Sequence, residues 1–424
     1  MSRFKVPLFK KKREIILFLS FLFIVFIFNL YFEYINYREF TSSKFFKTKA
    51  LVLNQYKKRK NDKEYFVLKL KNEKGAVFYT TNYEDLKDIK RREILLTVIT
   101  ENISFLDYLK GFYVPSFDIR LYPKRENLKD KIRELIISSH FDKNMKELFA
   151  ALFLGEEISK ELREKIQFLG ISHLIAISGF HLGVLFGVLF FISDFVYRVF
   201  QNRFFPYRNR HFDLSVFIFF ILFFYLYALG FIPSLLRAFV MSLVGFVFYA
   251  RSVEVLSFKT LLIAVLFIIA FFPKLLFSVG FWFSVAGVFY IFLFLHYFKD
   301  LDKKILFLLI NFWVFFMMMP LVHYFFPLFS FYQFLSPFVS ILFTLFYPFE
   351  LFLHIFGFGD FLDGLILKFI NIKGEVYRFR TDFYFLSVFI LFSFGAVFKR
   401  IFLFLLIFLS FVFLIENITK LHSV

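Results

Sequence analysis

Beyond Ile171 the sequence keeps returning to apolar runs, at about 172–197, 214–232, 235–250, 260–272, 275–297, 305–322, 331–355, 383–397 and 401–415, with short polar loops between them. A bilayer offers no water to exposed backbone groups, so such runs close their hydrogen bonds within helices. Several are short for crossing alone. An earlier run follows the basic start MSRFKVPLFKKKRE and has no small-residue cleavage site behind it, which reads as an uncleaved first helix with a cytoplasmic N-terminus. With 59% hydrophobic residues and 79 Phe, the chain lies far from the composition of a soluble domain. It contains no cysteine, so disulfide frameworks, thiolate metal sites and Cys nucleophiles are excluded.

Charge supports the alternation of spans up to residue 322. Loops bearing Arg198, Arg203, Arg208 and Arg210, then Arg251 and Lys259, then Lys299, Lys303 and Lys304 fall on the cytoplasmic side if the runs alternate. Lys399 and Arg400 would fall on the other side, so a re-entrant or interfacial segment is expected in the C-terminal part. Between these spans and the first helix the chain turns polar, and KALVLNQY, EYFVLKL, GAVFYTT and REILLTVIT read as short strands.

The expected fold is therefore a polytopic α-helical membrane protein with a small extracytoplasmic β-rich domain near the N-terminus. Its parts are a basic N-terminus and first helix (1–32), a β domain (33–126), amphipathic coupling helices (127–170) and a multi-helix membrane domain (171–424). Residues 33–147 hold 25 Lys and Arg against 17 Asp and Glu, an excess that favours nucleic acid or anionic lipid headgroups.

Polar residues interrupt the apolar runs at a few places. In ISHLIAISGFHLGVL, read as one helix, Ser172, Ala176, Gly179, Gly183 and Gly187 form a small-residue stripe suited to close helix packing, with Ser178 and His181 on another face. The Ser-Gly pair also permits a broken helix beside a cavity. Arg237 follows Pro233 by one turn in an apolar run. It either snorkels to the nearby surface or stands as a fixed cation in an aqueous path, where its forked donors suit phosphate. Gly280, Ser284 and Gly287, beside Trp282, repeat the packing pattern. Pro233 is expected to break a helix, and Pro320, Pro327 and Pro337, with His323 among them, predict bent or discontinuous helices.

At GISHLIAISGFHLGVL the sequence resembles the ComEC family of competence proteins, the inner-membrane channels that pass single-stranded DNA into the cytoplasm during natural transformation. FLDYLKGFYV, FAALFLGEEISKELREKIQFLG, PSLLRAFVM, FFPKLLFSVGFWFSVAGV and MPLVHYFFPLFSFYQFLSPF are similar to further family blocks in the same order, covering roughly residues 41–350. The resemblance implies an OB-like outer domain and a DNA path that includes Ser178, Gly179, His181 and Arg237. It also implies a periplasmic DNA receptor and a cytoplasmic helicase or translocase as partners, while a homo-oligomer is left open because oligomeric state is not readable from the sequence. Many members continue into a metallo-β-lactamase-like domain. Here the chain ends in apolar segments and its eight histidines are scattered, so a separate nuclease is expected, and no metal or cofactor.

The expected function is that of a channel and not of an enzyme. Two alternatives stand beside it: a transporter of another anionic polymer or lipid-linked substrate, and an intramembrane serine hydrolase using Ser178 and His181. For the hydrolase, neither an oxyanion site nor an orienting third group is identifiable. No G-x-x-x-x-G-K-[ST] loop is present to supply an ATP motor.

Overall fold

The computed structural model describes residues 11–422 except 61–62, 85, 87–88, 90, 124–127 and 252–256. Residues 1–10 and the expected boundary at 126–127 lie outside the described residues. The described residues form two compact units, one up to residue 134 together with 263–279, the other of 135–262 and 280–422.

The first unit begins with helix α1 (Lys12–Phe40), which runs past the residue-32 boundary drawn from hydropathy. Its last turn is not lipid-like. Tyr37 donates to the Ile103 carbonyl at 2.9 Å, and Phe40 is buried against Phe78 and Phe112. Strands β1 (Phe45–Lys60), β2 (Lys63–Asn72), β3 (Val77–Asn82) and β4 (Glu93–Ile99) follow, then α2 (Phe105–Lys110), β5 (Phe112–Tyr113), β6 (Ser116–Leu121) and α3 (Leu128–Ser138). The four strands legible in the sequence are β1 to β4.

The strand order is β5-β3-β2-β1-β4-β6, antiparallel except for β3 and β5. Only Val114 and Pro115 separate β5 from β6, which sit at opposite ends of that order. Alternation sends Ala50, Val52, Leu68, Leu70, Ile94, Leu96 and Val98 inward. On the other face, Phe45 and Phe117 meet edge to face at 5.7 Å, and Lys47 and Lys49 stand opposite Thr97 and Leu95. Segment 263–279 joins this unit through Asn29, which donates to the Ala270 carbonyl at 3.0 Å, and Lys274, paired with Glu33 at 2.7 Å.

The second unit contains α4 (Lys143–Leu154), α5 (Lys160–Phe168), α6 (Ser172–Ile175), α7 (Gly179–Phe204), α8 (Arg210–Ala228) and α9 (Pro233–Ala250). It continues with the start of α10 (Phe258–Phe271), then α11 (Val279–Phe298), α12 (Lys303–Phe325), β7 (Leu328–Phe329) and α13 (Ser336–Ile355). Helix α14 (Asp363–Ile370), β8 (Tyr377–Arg378), α15 (Phe383–Gly395) and α16 (Arg400–His422) complete it. Among the described residues, six helical stretches are long and apolar enough to span: 12–40, 179–204, 210–228, 279–298, 303–325 and 331–355. Helix α14, at eight residues, is too short to cross.

One core gathers α4 to α9 with α13 and α14; another is built from α11, α12, α15 and α16. Helix α4 is no amphipathic surface helix: Met145 and every residue from Leu148 to Leu154 are buried. It ends at Gly155, whose φ of 64° stops the helix in a left-handed cap.

Candidate functional site at the start of α7

The polar island is not one helix. After α6 the backbone leaves helical geometry at Ala176 and re-enters it at Gly179, with Ser178 extended (φ −126°, ψ 177°) as the N-cap of α7. The interruption has a local cause. His181 Nδ1 accepts the Ser178 backbone N–H at 3.1 Å and lies 3.0 Å from Ser178 Oγ, so the side chain three residues on satisfies the amide that the break exposes.

Because Nδ1 accepts, the hydrogen of a neutral imidazole sits on Nε2. His181 is fully buried and meets two rings of α13 edge to face, Tyr347 at 4.6 Å and Phe343 at 5.4 Å. Nε2 has no hydrogen-bond partner among the described residues. The island's other histidine, His173, contacts Ser340 Oγ on α13 at 3.0 Å. The break is thus held between its own cap and α13. The Ser178–His181 contact is that of a cap, although it also places a hydroxyl and an imidazole as a nucleophile and base would stand.

Arg237 lies one turn into α9, which packs against α7: a Cβ at Gly179 would lie 3.9 Å from that of Ala238, the residue after Arg237. Only 9% of Arg237 is exposed, and its Nε is buried without a hydrogen-bond partner among the described residues. No ion pair or hydrogen bond joins it to Ser178 or His181. The structure brings Ser178, Gly179 and His181 together and sets Arg237 on the adjoining helix.

Other expectations need correction. In this chain Gly183 and Gly187 are exposed and a Cβ on either would meet nothing within 4 Å, so the expected stripe is not a packing seam between its helices. The break at 176–178 also removes Ser172 and Ala176 from it. Gly287 likewise has nothing within 4 Å, Gly280 is exposed, and Ser284 is half-buried. Pro233 and Pro337 start α9 and α13, as residues without an N–H do well at first turns. Pro320, expected to break a helix, lies inside α12, which continues through it; its carbonyl accepts from Thr381 Oγ1 at 2.8 Å. Hydropathy missed the contribution of α13: Ser340, Phe343 and Tyr347 were legible only as part of an apolar run.

Residues 152–417 match the family model described as Competence protein. The chain belongs to the competence-protein family. The match begins in α4 and ends in α16, so it takes in the α7 break, Arg237 and α13, in agreement with the ComEC resemblance. No curated protein and no solved structure matches the chain. Membership and the six apolar helices make it a multi-pass membrane protein associated with competence.

Proposed function

We propose that the protein passes single-stranded DNA across the inner membrane during natural transformation, with its N-terminus cytoplasmic. The observation that carries this reading is Arg237, a buried guanidinium with no ion-pair partner among the described residues, packed beside the interrupted start of α7. An unpaired Arg at membrane depth costs at least about 2.5–3.5 kcal/mol. A passing phosphate offsets that cost, and the positive end of the α7 dipole adds to the attraction. Ser178 and His181 hold the break open as a non-helical stretch, the form of backbone tolerated where it borders a cavity.

The outer unit supports the same reading. Its strand pairings, with β3 beside β5 in parallel and β1 beside β4, support an OB-like reading in which β5 and β6 serve as one last strand split at Val114–Pro115. Lys47 and Lys49 flank Phe45 and Phe117, a pairing of backbone cations with stacking rings that binds single strands without reading sequence. The channel would receive DNA from a periplasmic receptor and pass it to a cytoplasmic helicase or translocase, with a separate nuclease removing the other strand.

Crosslinking tests this. A photoreactive residue at position 45 of the full chain in native membranes should capture single-stranded DNA and lose the signal to unlabelled single strands before polyphosphate. Preferential competition by polyphosphate or by anionic lipid would favour the other-polymer transporter instead.

A further inference from the structure

Four ionisable residues of the second unit meet away from the α7 break. They are His140, between α3 and α4; Glu350 and His354, one turn apart on α13; and Asp363, the first residue of α14. His140 is 2% exposed and Glu350 is fully buried. The His140 ring lies flat on Phe149 at 4.3 Å, and His354 packs against Phe149 and Phe153. Gly359 runs so close that a Cβ there would stand 2.9 Å from the His354 ring, so the imidazole is walled in by backbone.

Counting hydrogens decides what this cluster holds. His140 Nδ1 lies 2.9 Å from the Asp363 carboxylate oxygens, His140 Nε2 lies 3.0 Å from His354 Nε2, and His354 Nδ1 lies 2.8 Å from the Glu350 backbone carbonyl. A carbonyl only accepts, so His354 Nδ1 must carry hydrogen, and each of the other two contacts needs one hydrogen between its partners. The row therefore uses three. Two neutral imidazoles beside an ionised carboxylate supply two, and would leave a pair of nitrogen lone pairs facing each other or one contact open.

We propose that Asp363, His140 and His354 form a proton-binding site that holds one proton beyond the neutral rings. With that proton the row is neutral overall, as a buried site requires. It can rest on Asp363, His140 or His354 without breaking any of the three contacts. Burial pushes the Asp363 carboxyl up and the His140 imidazole down, which favours the form with the proton on Asp363. At the other end, Glu350 Oε2 stands 3.4 Å from His354 Nδ1 and neither carboxyl oxygen has a hydrogen-bond partner among the described residues. An imidazolium at His354 would face it.

The groups acting on the row are Asp363 and Asp360 from the α14 side and His354 and Glu350 from α13; α4 presents Phe149 and Phe153. Among the described residues no group of three or more such side chains is arranged to hold a metal ion, so the proton is the cation that fits. Its loss breaks one contact between the segment before α4 and the pair α13–α14. Since Tyr347 of α13 also meets His181, the loading state bears on the helix that braces the α7 break.

Solid-state NMR of the full chain in lipid bilayers, with 15N-histidine assigned by a His140→Asn control, tests the count. At neutral pH the wild type should show coupling through an N–H···N bridge between the two Nε2 atoms, lost reversibly at alkaline pH. Asp363→Asn supplies its own donor to Nδ1, so it should keep the bridge at every pH without the extra proton. Absence of the bridge at neutral pH, a pH-independent bridge in the wild type, equal loss in both proteins, or a chelator-removable metal at one per chain would each overturn the proposal.

Discussion

Replacing Lys47 and Lys49 together by Gln should weaken single-stranded DNA binding in a salt-dependent way. Both project from the face of β1 that carries Phe45, and among the described residues neither is in an ion pair; Lys49 only rests over the Tyr122 ring at 5.4 Å. Each phosphate neutralised on a single strand contributes about 0.7 to the slope of log affinity against log salt, so two lysines account for about 1.4. Between 50 and 200 mM salt, a fourfold change, the wild type should then lose about sevenfold more affinity than the double variant. Phe45→Ala removes a half-exposed ring, and loss of one stacked base costs about 1–3 kcal/mol, or about 5- to 150-fold, without altering the slope. Fluorescence anisotropy with a labelled oligonucleotide and the full chain in detergent reads both quantities. An unchanged slope in the double variant, or a changed slope in Phe45→Ala, would refute the assignment of phosphates to the lysines and bases to the ring.

Arg237→Met should raise thermal stability in detergent by about 2 kcal/mol or more, because it removes a buried charge that has no ion-pair partner among the described residues; destabilisation would show that the guanidinium has a structural counterpart. Ser178→Ala should cost about 1 kcal/mol of stability and leave DNA uptake near normal, since His181 Nδ1 still accepts the backbone N–H of residue 178. Complete loss of function at normal protein level would favour the hydrolase reading. Gly155→Ala should destabilise by at least about 1–2 kcal/mol, because φ is 64° there and the added Cβ would stand 2.4 Å from the Ile232 side chain; an unchanged melting temperature would contradict the left-handed cap.

The apolar runs and strands β1 to β4 were legible because length and alternation are local properties. What hydropathy cannot see is a neighbour. It read Gly183 and Gly187 as one face of a helix correctly enough, but nothing in the periodicity says whether another helix of the chain covers that face. The break before α7 arises from the Ser178–His181 hydrogen bond, which competes with helix continuation through a stretch whose composition suits a span. Helix α4 looked amphipathic because Lys143, Lys146 and Glu147 cluster in its first half, whereas its second half is buried. Glu350 and His354 were visible as ionisable residues one turn apart in an apolar run. Their partner His140 is 214 residues from His354, a separation that no local pattern spans.

The most direct test of the channel is DNase-protected uptake of labelled DNA in cells whose only copy carries Arg237→Met, with membrane levels of the protein quantified. Retained periplasmic DNA with little or none reaching the cytoplasm, at normal protein level, is the predicted result. Cytoplasmic uptake equal to wild type would contradict the account, because the buried cation would then have no part in passing the strand.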